Sequence, residues 1–116
     1  MSKEISYNTK RIKAFIGDNP GVMRKMVDIF LTNAPKMLAE IHKSYEKKDY
    51  TNLNFYAHKL KSSIYNFNIE EIENDIRLIE RYAKERKSLE ELPALIERVD
   101  HYLNIILEKV RKDFNA

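Results

Sequence analysis

Leu53-Asn54-Phe55-Tyr56-Ala57-His58-Lys59-Leu60-Lys61-Ser62-Ser63-Ile64-Tyr65-Asn66-Phe67 is the stretch that decides how the rest of the chain is read. Its apolar residues Leu53, Tyr56, Ala57, Leu60, Ile64 and Phe67 recur at gaps of three and four. That spacing makes one stripe on an α-helix and suits no strand, which would need a period of two. Asp49 precedes the stretch as a good N-cap, and Asn68 follows it as a residue that tolerates the left-handed conformation ending many helices.

The same pattern recurs on both sides. Upstream, Asn19-Pro20 opens a helix with a cap residue and a proline suited to the first turn. Its stripe is Met23, Met26, Val27, Phe30, Ala34, Met37, Leu38, Ile41 and Tyr45. Pro35 lies inside that stripe without shifting its phase, so one helix bent near Leu31 is expected rather than two. Before it, a short helix from about Thr9 to Ile16 is framed by Asn8 and Gly17. Downstream, Ile69, Ile72, Ile76, Ile79 and Ala83 define a fourth helix. A fifth carries Leu92, Leu95, Ile96, Val99, Leu103, Ile106 and Val110. Ser88 and Glu91 have capping-box spacing at its start, while Pro93 leaves Leu92 as the other candidate cap.

Four amphipathic helices with short connections bury their stripes against one another as an antiparallel four-helix bundle. The fold class is therefore all-α, with a short extra N-terminal helix placed as a lid on one end or flank. The 116 residues fit a single domain with one core, running over about residues 9–114. Only 2 Gly and 3 Pro are present, too few for the frequent turns of a many-stranded β fold. There is no internal repeat and no Gly-, Pro- or Ser-rich linker.

Composition narrows the chemistry. The chain has no Cys, which excludes disulfides, thiolate metal sites and a thiol nucleophile. Gly17 and Gly21 cannot supply a glycine-rich phosphate loop, so nucleotide binding in such a loop and intrinsic kinase activity are not expected. The polar start Met1 to Ile5 lacks the apolar run of a signal peptide, and no segment reaches the roughly 20 apolar residues of a membrane span. A soluble, cytoplasmic, monomeric protein without membrane contact is expected. Lys and Arg total 21 against 18 Asp and Glu, a net charge of +3. The signs are interspersed rather than gathered on one basic face, so a nucleic-acid partner ranks last.

Three histidines remain: His42, His58 and His101. No two of them stand at i, i+3 or i, i+4 spacing, and His58 has no carboxylate at those spacings, so no helical metal site is expected. His101 falls opposite its stripe and His42 on a flank, and both read as solvated surface. His58 differs. At roughly 100° per residue it points about 150° away from the centre of its helix's core stripe. Lys61, Ser62 and Tyr65 share that side, and Asn54 and Phe55 border it. A neutral imidazole nitrogen is a competent nucleophile, and a phosphoimidazole is a reactive carrier. Lys61 can support an incoming phosphoryl group electrostatically, and Ser62 keeps the adjoining surface small. Phe55 is an apolar side chain on an outward face, where a docking partner would use it. On the second helix, Val22 and Ile29 lie off the stripe and, with Met26 at its border, form a second set. They read as a bundle edge under the first helix or as part of a docking surface. For Phe55 and Tyr65, packing against the first helix is the competing reading.

This constellation resembles the histidine-containing phosphotransfer (HPt) domain family. The family pattern is a histidine, Leu-Lys-Gly at the second to fourth positions after it, then small residues, and a glycine ten positions after the histidine. Here it reads His58, Leu60, Lys61, Ser62, Ser63 and Asn68. Phe30 to Leu38 with its internal Pro35, Asp49-Tyr50, and Ile72 to Lys84 including Leu78-Ile79-Glu80 extend the similarity over about residues 9–112. The resemblance implies a phosphorelay carrier that is no enzyme itself. It would accept a phosphoryl group on His58 from a receiver-domain aspartate and pass it to another receiver. Response-regulator receivers and a hybrid sensor histidine kinase would be its partners. It implies no cofactor bound by this chain, with Mg²⁺ held by the receiver. Two family glycines are replaced, by Ser62 and Asn68, which leaves room for a non-catalytic adaptor that binds receivers without transfer.

Overall fold

The computed structural model describes residues 5–116, so the polar start Met1 to Glu4 lies outside the described residues. Five α-helices follow in order: α1 (Lys10–Ile16), α2 (Pro20–Glu46), α3 (Tyr50–Asn66), α4 (Glu70–Glu85) and α5 (Leu92–Phe114). There is no strand among the described residues.

Local chemistry sets the ends. The Asn19 side chain accepts from the Val22 N–H with Pro20 in the first turn, and the Asp49 side chain accepts from the Asn52 N–H. These bonds satisfy donors that a helix start leaves orphaned. Gly17 ends α1 at φ 70°, and Asn68 turns the chain between α3 and α4 at φ 51°. α2 is one continuous helix although Pro35 has no N–H to offer the Leu31 carbonyl.

The start of α5 departs from the capping-box expectation. Ser88 sits at φ 52° with no side-chain cap bond, and Leu89–Glu91 form a 3₁₀ turn. Leu92 is instead the first residue of the helix, with Pro93 in its first turn. A proline fits there because first-turn N–H groups have no intrahelical acceptor.

The stripes meet as expected. Val27, Phe30, Ala34 and Ile41 of α2, Leu53, Ala57, Leu60 and Ile64 of α3, Ile72, Ile76 and Ile79 of α4, and Val99, Leu103 and Ile106 of α5 are buried in one core. α3 packs on α2 and α4, and α5 packs on α4 and α2, which closes the four helices into a ring. The linkers of three to six residues make neighbours in sequence antiparallel neighbours in space. Phe67, just past α3, stacks on Phe30 of α2 with ring centroids 4.2 Å apart.

α1 lies on a flank, as expected of the lid. Its Ile12 is buried, and Arg11 reaches across to the Tyr65 carbonyl (2.8 Å) and to Glu73 of α4 (3.1 Å). The segment before α1 is also tied down. The Asn8 N–H donates to the Phe67 carbonyl (3.0 Å), and the Asn68 side-chain amide donates back to the Asn8 carbonyl (3.3 Å). Asn68 thus supplies both the left-handed turn and a tether.

Candidate functional site

His58 occupies the outward face that helical phase gives it, with 64% of its side chain exposed. It is not free on that face. Its Nδ1 lies 3.2 Å from Oε1 of Glu80 on α4. Lys61, one turn along α3, brings Nζ to the same carboxylate. It lies 3.2 Å from Oε1 with hydrogen-bond geometry and 2.8 Å from Oε2 as an ion-pair contact off the hydrogen-bond direction. Glu80 is largely covered, with 20% of its side chain exposed. Burial alone would raise its carboxyl. The hydrogen bonds from Lys61 and His58 outweigh burial and hold it below the usual carboxylate range. An ionised Glu80 accepts only, so the proton of a neutral His58 belongs on Nδ1, and the Nε2 lone pair is left free.

The register that makes this possible is also fixed by α3. The Asn54 side-chain amide, one turn before His58, donates to the Glu80 backbone carbonyl at 2.8 Å. Asn54 was expected to face a partner, and its amide is engaged between the two helices. Further out, Phe55 is exposed with Lys59 over its ring at 4.8 Å, and Ser62 is exposed. Tyr65 is half exposed beneath the Arg11 guanidinium, 3.8 Å from the ring centroid. Of the two readings open for these aromatics, Tyr65 meets α1 and Phe55 packs edge-on against Tyr56 of its own helix. On α2, Val22 is partly covered, Met26 packs against the core, and Ile29 is exposed. No hydrogen bond or ion pair among the described residues joins these three to His58.

Glu80 is the site residue that sequence reasoning missed. It sits next to Ile79 of the core stripe, which hinted at its half-covered position. Its pairing with His58 depends on how two helices meet.

His42 corrects a second expectation. It is not free surface. Its Nε2 lies 2.6 Å from Oδ2 of Asp100, joining α2 to α5, and Asp100 also accepts from the Asn104 side-chain amide at 2.6 Å. The contrast with His58 is chemical. At His42 the outer nitrogen of the ring is used by the carboxylate. At His58 the inner nitrogen is used and the outer one faces solvent. His101 is exposed and meets only the edge of Tyr102 among ring contacts.

Among the described residues no cluster of three or more His, Cys, Asp or Glu could hold a metal ion, and no helix is long and apolar enough to cross a membrane.

Comparison with known proteins bears on the family and the fold. The family model described as the Hpt domain matches residues 25–112. The crystal structure of histidine-containing phosphotransfer protein B (HptB) from Pseudomonas aeruginosa PAO1 is similar over 88% of this chain and 85% of that one, with a TM-score of 0.73 and 22% identity. At that identity the likeness speaks to the fold. No protein of curated function matches.

Proposed function

Because this chain belongs to the histidine-containing phosphotransfer (Hpt) domain family, whose work is phosphotransfer in phosphorelays, we propose that His58 is its phosphoryl acceptor and that a receiver-domain aspartate is both donor and destination. The observation that carries this reading is the His58–Glu80 pair, which holds Nδ1 and leaves Nε2 free on the exposed face.

The transfer balances simply. The Nε2 lone pair attacks phosphorus in the acyl phosphate of the donor aspartate. The Nε2–P bond forms as the P–O bond to the aspartate breaks, and the carboxylate leaves with that electron pair. The ring keeps its Nδ1 proton and gains positive charge, which the ionised Glu80 offsets at 3.2 Å. Lys61 sits one turn away and can shift from Glu80 toward the phosphoryl oxygens. The reverse step hands the group to a second receiver. In this reading the receiver holds the Mg²⁺, and this chain supplies the nucleophile, its orientation and a docking face made of Asn54, Phe55, Ser62 and Tyr65, with Val22, Met26 and Ile29 on the neighbouring helix. A hybrid sensor histidine kinase would feed the donor receiver.

The test is labelling by a phosphorylated receiver domain, followed by the stability of the label. Phosphohistidine is expected, labile in acid and stable in alkali, and absent from His58→Gln. Equal labelling of wild type and His58→Gln would overturn the assignment. Receiver binding with no label ever reaching His58 would make the chain an adaptor.

A further inference from the structure

Beside the His58 site, α3 and α4 leave a groove of about 480 Å³. On the α3 side it is lined by Lys61 and Tyr65, and on the α4 side by Glu73, Ile76 and Arg77. Ile76 is wholly buried, and Tyr65 is pinned beneath the Arg11 guanidinium. The groove is therefore shaped before any partner arrives, which lowers the cost of filling it.

Its charges are not balanced. Glu73 is engaged by Arg11 at 3.1 Å and Lys61 by Glu80 at 2.8 Å. Arg77 stands one turn after Glu73, where an i, i+4 pair could form, yet Arg11 holds that carboxylate instead. The Arg77 side chain is exposed and has no acceptor among the described residues. The charge left over in the groove is positive, and it is a guanidinium, whose planar fork suits a carboxylate.

The groove is also continuous with the face His58 uses. Lys61 belongs to both, and Tyr65 lies seven residues after His58, about 10.5 Å along the helix axis. A stable interface covers about 800 Å² per partner, a disc of roughly 16 Å radius. Any protein of that footprint centred on the ring covers the groove as well.

The geometry points to this groove as the seat of one acidic side chain from the receiver that docks on His58, with Arg77 as its counter-ion. The inference rests on the phosphotransfer reading above and deepens it. A second fixed point beside the ring sets the rotation of the partner about His58, so receivers that place an acidic residue there are favoured over those that place a basic or apolar one.

The experiment uses a receiver that labels the wild-type protein and varies its concentration. Arg77→Glu should raise the half-saturating receiver concentration about five- to tenfold while leaving the maximal transfer rate within about twofold, and it should flatten the salt dependence. Arg77→Gln, which keeps a polar side chain, should give a smaller rise in the same direction. It also serves if Arg77→Glu lowers the melting temperature. Lys112→Glu makes the same charge change on exposed α5 and should move neither quantity by more than about twofold. An unchanged half-saturation in both Arg77 variants would overturn the inference, as would an equal rise in Lys112→Glu. If no receiver labels the wild type, the phosphotransfer reading fails separately. Receiver binding weakened by Arg77→Glu would then still uphold the groove, and binding indifferent to it, or absent, would sink that too.

Discussion

Nδ1 of His58 and Oε1 of Glu80 lie 3.2 Å apart across the seam between α3 and α4, although twenty-two residues separate them in the chain. The pair turns an exposed imidazole into an oriented one. A ring free to rotate would present either nitrogen in either tautomer. A carboxylate behind Nδ1 selects one of each.

Removing that carboxylate should therefore cost rate rather than binding. Glu80→Ala is expected to slow single-turnover phosphotransfer about tenfold, equivalent to about 1.4 kcal/mol, with little change in receiver affinity. Glu80→Gln keeps an acceptor oxygen and should lie between wild type and Glu80→Ala. Nitrogen NMR of the free wild-type protein should show the neutral ring protonated on Nδ1. A ring protonated mainly on Nε2 would contradict the orientation.

The same pair carries a pH dependence. Glu80 is held below the usual carboxylate range in the folded protein, against the ordinary value in the unfolded chain. A depressed folded value means that its contribution is present above the ordinary carboxylate value, about 4.3, and is lost as pH falls through the lower folded value. The urea midpoint of wild type should exceed that of Glu80→Gln at pH 7, and the gap should close as the pH is lowered toward 3. A gap that widens in acid would show that the carboxylate is not stabilised where it sits.

Asp75 of α4 is buried and accepts from the Arg98 Nε of α5 at 3.0 Å. Arg98→Ala strands that carboxylate. Arg98 is half exposed, so the loss is expected at about 1–2 kcal/mol rather than the larger cost of a fully buried pair. Thermal unfolding should fall by roughly 4–8 °C, with labelling of His58 preserved.

Asn68 stands where the family pattern has glycine, at φ 51°. Asn68→Gly should change stability by no more than about 0.5–1 kcal/mol. Relief at a left-handed position offsets loss of the 3.3 Å bond to Asn8. Asn68→Val should cost at least about 1–2 kcal/mol, because a β-branched residue is strained there. Equal melting temperatures for the two variants would show that the turn does not require the conformation.

His42 and His58 each sit beside a carboxylate, and they should behave differently. His42→Gln is expected to keep wild-type labelling within about twofold and to lose about 1 kcal/mol of stability, since it removes the 2.6 Å link to Asp100. Label on His42 in a His58→Gln background would show that the ring nitrogen bonded to the carboxylate does not decide which histidine reacts.

The five helices, the buried stripes, the caps at Asn19 and Asp49 and the outward direction of His58 were legible because each depends on neighbours a few residues away. Helical periodicity and backbone valence act at that range. The start of α5 is ambiguous at that range, with Ser88 and Leu92 both candidates. Ser88 and Glu91 have the right spacing for a capping box, but Ser88 adopts φ 52° at the end of the turn from α4, and its side chain caps nothing.

What the sequence by itself determined is thus the all-α bundle, the face of α3 that meets solvent, and the presence on it of one histidine beside Lys61 and Ser62. What only the tertiary structure decided is which groups those side chains meet. Glu80 reaches His58 because α4 packs on α3 at one axial register, with the α4 isoleucines and Leu53, Ala57 and Leu60 in one core and Asn54 bonded to the Glu80 carbonyl. A shift of one residue along α4 would rotate the carboxylate by about 100° and leave the ring unheld. That Arg77 has no acceptor among the described residues follows from the same cause, since Arg11 of a separate helix takes Glu73. Pairings between helices depend on the sum of many core contacts, and no local pattern in the chain encodes that sum.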